Sequence, residues 1–536
     1  MRTRNMRGLG PFAAIALFAL CAGSLWAQTS TASASETPPA VIDENLLFGG
    51  PTDIVTVIDP DTASAGTVQL VKDTKTYPVF LISGSAGAGL YGNYTPVGAT
   101  SSDSQVLYGA VNLSGLEFDY LPTKNLHFSV SNDLLAVPND ILAASVTAYA
   151  DLRQSDLVRL YAAGSFNYDP SNYLSTKEYD SGTFSLDELF VDTQINEKVF
   201  FRLGKQRISW GVGYWYKPSD VLSLSAIDPD DPTAARNGPF AFKIDVPMKL
   251  NHLMVYMVPP VSGEAGSSSI ASKYDLVVNG WELSFAGYGR ADLEARPRAI
   301  FTFTGAVGAF DVYGENVLLY GSDRTYVRES STTPGTYETY SVEDAPFFQS
   351  TLGLKYSVSK SSGFSFSAHL QGYYNGTGYA DATILQVPDA RTAVKNSTTN
   401  TAKQTNDLTQ TGQWYLAGSA SISGRFGEGR SLTQVTGSAY ALANFSDGSM
   451  RFNPQFEVAI GDQGGRATLT LSDLTAIGAE NSEYAPKGNK TTPALTLGIL
   501  NDAFELQTSV PITFNTDFSV KRVQTAFSVF WNAVQY

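Results

Sequence analysis

From Tyr77 onward the 536-residue chain runs in segments where apolar and polar residues alternate, and this period of two excludes helical folds. Phe364, Phe366, Ala368 and Leu370 alternate with Ser365, Ser367, His369 and Gln371. Trp414, Leu416, Ala420 and Ile422 alternate with Tyr415, Ser419, Ser421 and Ser423. Phe452, Phe456, Val458 and Ile460 are set against Arg451, Asn453, Gln455 and Glu457, and Trp281, Leu283 and Phe285 against Glu282 and Ser284. Successive side chains of a strand point to opposite faces, so each segment is predicted to be a strand with one oily and one wet face.

A soluble β-sandwich shows the same alternation, and two further features choose between them. The segments are about ten residues long, the length a tilted strand needs to cross a bilayer. They recur over about 450 residues without intervening helices, more than one sandwich holds. Charged residues make up only 16%, aromatic residues reach 12%, and glycine numbers 47. After the first residues no run of about 18 apolar residues occurs, so no transmembrane helix is indicated. A closed β-barrel crosses a membrane without one, because every backbone group finds a partner in the next strand. The expected fold is all-β: a single antiparallel transmembrane β-barrel of 16 to 22 strands, with a short N-terminal periplasmic leader.

The chain begins as a secretory signal. Arg2, Arg4 and Arg7 precede an apolar stretch from Leu9 to Leu25, and Ala27 offers a small residue for cleavage. Residues 1–27 are therefore read as a signal peptide cleaved near Ala27, residues 28–77 as a flexible leader and residues 78–536 as the barrel. Within the leader TSTASASETPPA is low-complexity. Asp53 to Ile58 faintly resembles the energy-coupling box of TonB-dependent transporters, and a short periplasmic strand or tether is the expectation there. The only cysteine, Cys21, lies in the signal, so the cleaved chain has no disulfide.

The formal net charge of −15 becomes more negative once the three signal arginines are removed, which argues against nucleic acid as a partner. His127, His252 and His369 lie far apart without ligand spacing. The acidic run Asp228-Pro229-Asp230-Asp231-Pro232 lacks the spacing and glycine of a calcium loop. No metal, cofactor or enzymatic activity is expected, since no nucleophile motif accompanies the three histidines.

Connections alternate in length. Pro122-Thr123-Lys124 and Asn196-Glu197-Lys198 are tight, while residues 209–237, 321–345, 375–411 and 475–492 are long and polar. Short turns at one end and long loops at the other are the outer-membrane arrangement. The last segment, Thr525 to Tyr536, is rich in aromatic residues and ends on one. It resembles the signal by which the barrel-assembly machinery recognises its clients. Its parity slips near Asn532, where a bulge would restore it.

Thr183–Asn196 and Lys198–Gln206 form the clearest hairpin. Folding about Glu197 sets Ile195 opposite Val199, Thr193 opposite Phe201 and Val191 opposite Leu203, a face for lipid. The other face pairs Asp192 with Arg202 and Glu188 with Gln206. The opposite register would put Arg202 in lipid at a cost of about 2–4 kcal/mol at the midplane. Glu188, Asp192, Arg202, Gln206, Arg451 and Glu457 are the pore-lining candidates, with Glu282 and Arg466 beside them. Beyond this hairpin, Trp210, Tyr214, Trp215 and Tyr216 are expected at the membrane–water boundary. The loop that follows carries Asp220, Asp228, Asp230, Asp231 and Arg236. Folded inward, it would be a constriction whose carboxylates face Arg202, Lys205 or Arg207 across the pore. Folded outward, it would be a solvated extracellular loop.

The runs ELFVD, FFRLGKQRISWG, YKPSDVLSL and IDPDDPTAARNGP resemble the core pattern of porin-like outer-membrane β-barrel proteins of diderm bacteria, notably spirochaetal (Treponema-type) ones. The resemblance is strongest over about residues 183–260 and rests on R-x-G-[KR]-Q followed by Trp-Gly. It implies a monomer-built barrel in the outer membrane and carries no substrate. The expected function is passive diffusion of small hydrophilic solutes, with outer-membrane lipid, the assembly machinery and the solutes themselves as partners. A surface-exposed interaction or adhesin barrel is the alternative, and an outer-membrane hydrolase a less favoured one.

Overall fold

The computed structural model describes residues 77–535, apart from 99–105, 138–139, 156, 169–181, 225–226, 235, 261–266, 294, 398–407, 429–430, 463–464, 502–503 and 515–518. Residues 1–76, read above as signal peptide and leader, and the terminal Tyr536 lie outside the described residues.

The alternating segments become strands. The first seven are β1 (Val79–Val97), β2 (Val106–Thr123), β3 (Leu126–Val137), β4 (Asp140–Ser155), β5 (Val158–Tyr168), β6 (Thr183–Ile195) and β7 (Val199–Lys205). There follow β8 (Phe240–Met248), β9 (Asn251–Val258), β10 (Ser269–Val278), β11 (Trp281–Arg290), β12 (Arg298–Val307) and β13 (Phe310–Tyr320). A small hairpin, β14 (Tyr326–Glu329) and β15 (Tyr337–Tyr340), stands apart. The series resumes with β16 (Pro346–Ser359), β17 (Ser365–Asn375), β18 (Trp414–Phe426), β19 (Thr433–Asn444) and β20 (Ser449–Asp462). It ends with β21 (Gly465–Ile477), β22 (Lys490–Asn501), β23 (Phe504–Phe514) and β24 (Val520–Gln535).

Each barrel strand pairs antiparallel with the next, and β24 pairs with β1, so 22 strands close on themselves and leave no sheet edge. That is the upper end of the expected range. The register between β1 and β24 shifts where Ala86 faces Val534 and Gly87 faces Asn532, leaving Ala533 extra. This is the bulge that the parity slip at Asn532 calls for.

The two faces differ as the alternation demands. Leu203, Phe285, Leu370, Ile460 and Leu497 are each about half exposed on the outside, where a barrel in water would have nothing to cover them. On the inside Asp192, Gln206, Glu315, Gln371 and Asn444 are buried. Tight turns sit at one end. Asn196 and Glu197 both have positive φ, 52° and 55°, in a two-residue turn closed by Lys198 N–H donating to the Ile195 carbonyl at 3.0 Å. Both residues left-handed is the turn whose twist suits a hairpin.

The long connections depart from expectation. Residues 321–345 and 375–411 read as long and polar, yet their described parts fold together over the long-loop end. Helix α1 (Pro388–Ser397) packs on β14 and β15, with a 3-10 helix (Ala382–Gln386) against it. Val327, Leu385, Ala390 and Val394 form a small core there, with Tyr337, Tyr379 and Leu408 packed on it. The neighbouring loop 478–489 joins them through half-buried Glu483, which accepts from Gln410 N–H at 2.8 Å, Thr411 N–H at 3.1 Å and the Tyr415 hydroxyl at 2.8 Å. Each loop alone has too few apolar residues to make a core, which is why each reads as solvated by itself.

Candidate functional site

The predicted hairpin register is the observed one. Ile195 faces Val199, Thr193 faces Phe201, Val191 faces Leu203 and Asp192 faces Arg202. Arg202 grips Asp192 with two hydrogen bonds, Nε to Oδ1 at 2.6 Å and Nη2 to Oδ2 at 3.0 Å. Its guanidinium also lies 3.9 Å from the centre of the Phe190 ring. Arg159 donates to Asp151 at 2.9 and 3.1 Å and comes within 3.8 Å of Asp192. Along the same inner wall Lys243 pairs with Asp245 and Lys273 with Asp275, each at 3.0 Å, and His127 contacts Asp119 at 2.7 Å. Strands β2 to β10 thus carry an ionic ladder around one side of the lumen.

Glu188 and Gln206 do not meet as expected, because the β6–β7 ladder stops at Leu189 and Lys205. Glu188 instead accepts from the Arg207 N–H at 3.1 Å. Gln206 is buried and donates to the Ala241 carbonyl on β8 at 3.0 Å. Lys205 falls on the outward face with Leu203 and hydrogen-bonds the Leu186 carbonyl, so it does not look across the lumen. Glu457 lies near the short-turn end and accepts from Arg466 at 2.9 Å.

The connection from β7 to β8, residues 206–239, runs across the inside of the barrel. Ile208, Trp210 and Leu222 pack on an apolar patch of the wall made by Ala241, Met254, Tyr256, Ala271, Ile300, Val317 and Leu319. Further along, Gly213 N–H donates to Glu315 Oε1 at 2.5 Å, while Ser219 donates to Oε2 from its N–H at 3.0 Å and its hydroxyl at 2.6 Å. Gln371 on β17 receives the Tyr214 and Trp215 N–H groups at 3.1 and 2.8 Å and donates to the Tyr216 carbonyl at 2.7 Å. Only glycine fits at 213, where a Cβ would lie 2.0 Å from the Tyr216 carbonyl oxygen. The Tyr216 ring stacks on Tyr373, and its hydroxyl meets that of Tyr484 at 2.8 Å. Finally Asp230 forms an ion pair with Arg451 on β20.

That last contact spans the barrel. With β14 and β15 outside the sheet, β7 is the seventh strand and β20 the eighteenth, eleven positions apart among 22. Asp230 therefore reaches the wall opposite the one from which its loop springs.

Two expectations are corrected here. Trp210, Trp215 and Tyr216 are buried inside the barrel, at 4%, 3% and 0% exposure, and do not form a belt at the membrane boundary; Tyr214 beside them is partly exposed. The loop carboxylates do not face Arg202, Lys205 or Arg207. Asp230 takes Arg451, and Asp220 pairs with Arg236 of the same loop. Asp228 and Asp231 are exposed: Asp228 accepts from Asp230 N–H at 2.9 Å and Asp231 from the Thr233 hydroxyl at 3.0 Å. Burial holds Asp220 and Asp230 above the usual carboxylate range, although Arg236 and Arg451 pull them back. Burial likewise drives the Tyr216 phenol well up and the Lys217 ammonium down.

Glu315 and Gln371, the two side chains that hold the loop, were not singled out from the sequence. Gln371 showed only its inward parity. Their loop partners lie 96 and 156 residues away, a separation that no local pattern records. Among the described residues no group of three His, Cys, Asp or Glu is placed to hold a metal.

No protein-family model matches the chain, and neither does any curated protein. Solved structures do match. Wzi of Escherichia coli, an outer-membrane carbohydrate-binding β-barrel involved in group 1 capsule assembly, is 11% identical over 85% of each chain with a TM-score of 0.32. OccK3 of Pseudomonas aeruginosa is 8% identical over 83% of this chain and 95% of its own, with a TM-score of 0.32. A mutant of the ferric enterobactin receptor PfeA, also from Pseudomonas aeruginosa, is 8% identical over 84% and 80%, with a TM-score of 0.41. At these values the likeness carries nothing about what this chain does.

Proposed function

We propose that this chain is an outer-membrane pore for passive diffusion of small hydrophilic solutes, narrowed by the loop 206–239. The closed barrel supports the membrane setting, because its outer face exposes large apolar side chains on strand after strand while its inner face is polar. Residues 183–260, which resemble spirochaetal porin-like barrels, include the loop and the strands flanking it. The observation that carries the reading is the Asp230–Arg451 contact, which draws the loop across the full lumen. A wide barrel without such a loop would leave an unrestricted aqueous interior.

The test is planar-bilayer conductance of the refolded protein beside a variant in which residues 209–236 are replaced by a short Gly-Ser linker. Discrete steps are expected from both, larger in the variant. Silent insertions of both proteins would sink the pore. The cap folded over the long-loop end favours a second reading, a surface interaction barrel, in which deleting residues 326–340 removes adhesion and leaves conductance.

A further inference from the structure

The charge left over along the loop deepens the pore reading and rests on it. Around the lumen four arginines are each held by a carboxylate. Arg236 is held by Asp220, Arg451 by Asp230, Arg202 by Asp192 and Arg159 by Asp151. Lys217 is half-buried on the same loop, within electrostatic reach of Asp220, Arg236 and Glu315. Among the described residues the exposed carboxylates of Asp228 and Asp231 have no such partner, and their hydrogen bonds to Asp230 N–H and the Thr233 hydroxyl fix their direction without cancelling their charge. Where the loop leaves the wall, the Arg207 guanidinium lies 3.9 Å from Asp187, while Glu188 accepts only the uncharged backbone N–H of Arg207. Negative charge is thus in surplus along the loop and at its start on the wall.

We propose that the pore prefers small cations to anions, and that Asp228 and Asp231 set this preference. A fixed charge beside a narrow aqueous path with low-dielectric walls concentrates counter-ions and repels co-ions. Two carboxylates roughly 6 Å from the path of an ion, screened by about 0.1 M salt, enrich a cation about fourfold and deplete an anion as much, which raises the cation-to-anion ratio about tenfold.

The experiment is the zero-current potential of the full-length protein across a planar bilayer in a KCl gradient. It compares wild type with Asp228→Asn/Asp231→Asn and with Asp389→Asn on the cap. Asparagine keeps an oxygen for both hydrogen bonds, so the turns survive while the charge goes. Wild type and Asp389→Asn should both show potassium favoured about tenfold over chloride, and the double variant a ratio much closer to one. Conducting steps with a wild-type ratio at or below one overturn the cation preference alone. So does a double variant that keeps the wild-type ratio. Absence of steps in every protein overturns the pore and this inference with it.

Discussion

Replacing Gln371 with leucine should free the apex of the loop and leave the barrel standing. Gln371 is fully buried on β17, and its carboxamide meets the Tyr214 and Trp215 N–H groups and the Tyr216 carbonyl. Leucine has nearly the same volume and none of these polar atoms, so the loop backbone is left with unsatisfied groups in a dry setting. Each such group costs about 1–3 kcal/mol. The 3.1 Å bond is the weakest of the three, and counting mainly the two shorter ones gives a loss of roughly 3 kcal/mol. That shifts the balance between docked and released apex by about a hundredfold. The strands are untouched, because the backbone ladders of β17 with β16 and β18 do not involve the side chain. Hydrogen exchange by mass spectrometry on the detergent-solubilised protein reads this directly. Protection of the Gly213–Ser219 amides should fall about a hundredfold, with strand amides unchanged. Gln507→Leu, on an exposed position of β23, is the control. Unchanged protection in Gln371→Leu would refute the anchoring role. So would a loss spread equally over the barrel strands, which would make Gln371 a general stability residue.

Two further outcomes follow from the same geometry. Asp220 and Asp230 have pKa values raised by burial, so the docked loop binds protons more tightly than the released one. The stabilisation this gives is full below the ordinary aspartate range and is lost as pH rises through the raised values. Protection of the loop amides, corrected for intrinsic exchange, should therefore increase between pH 7 and pH 4, and a decrease would show that the ion pairs outweigh burial. On the barrel itself, Leu497 faces out on β22 and its neighbour Thr496 faces in, bonded to the Ser509 hydroxyl at 3.1 Å. Leu497→Arg should cost about 2–4 kcal/mol near the bilayer midplane, whereas Thr496→Arg should be tolerated in the wet lumen. Equal loss of folded barrel for both variants, read by heat-modifiable gel mobility after refolding into lipid vesicles, would reject the assignment of faces.

Much of the barrel is legible residue by residue. The period of two assigns Leu203 and Leu370 outward and Asp192 and Gln371 inward, and the Asn196–Glu197 turn fixes the β6–β7 register because the partner residues are only a few positions apart. Even the C-terminal bulge shows as a slip in parity at Asn532. The loop is a different case. Trp210, Trp215 and Tyr216 carry the composition of a membrane belt, and amphipathic rings suit an interface and a lumen-filling core equally well. Their burial follows from what the inner wall offers: an apolar patch at Met254 and Val317, and the acceptors Glu315 and Gln371.

By itself the sequence determined the strand type, the two faces, the alternation of turn lengths and the Asp192–Arg202 pair, all of them consequences of neighbours within one hairpin. The tertiary structure alone decided that 22 strands close, that three loop regions share one cap, and that Asp230 meets Arg451. Closure brings together residues separated by more than two hundred positions, and it is closure that turns an ordinary-looking acidic loop into a bar across the lumen.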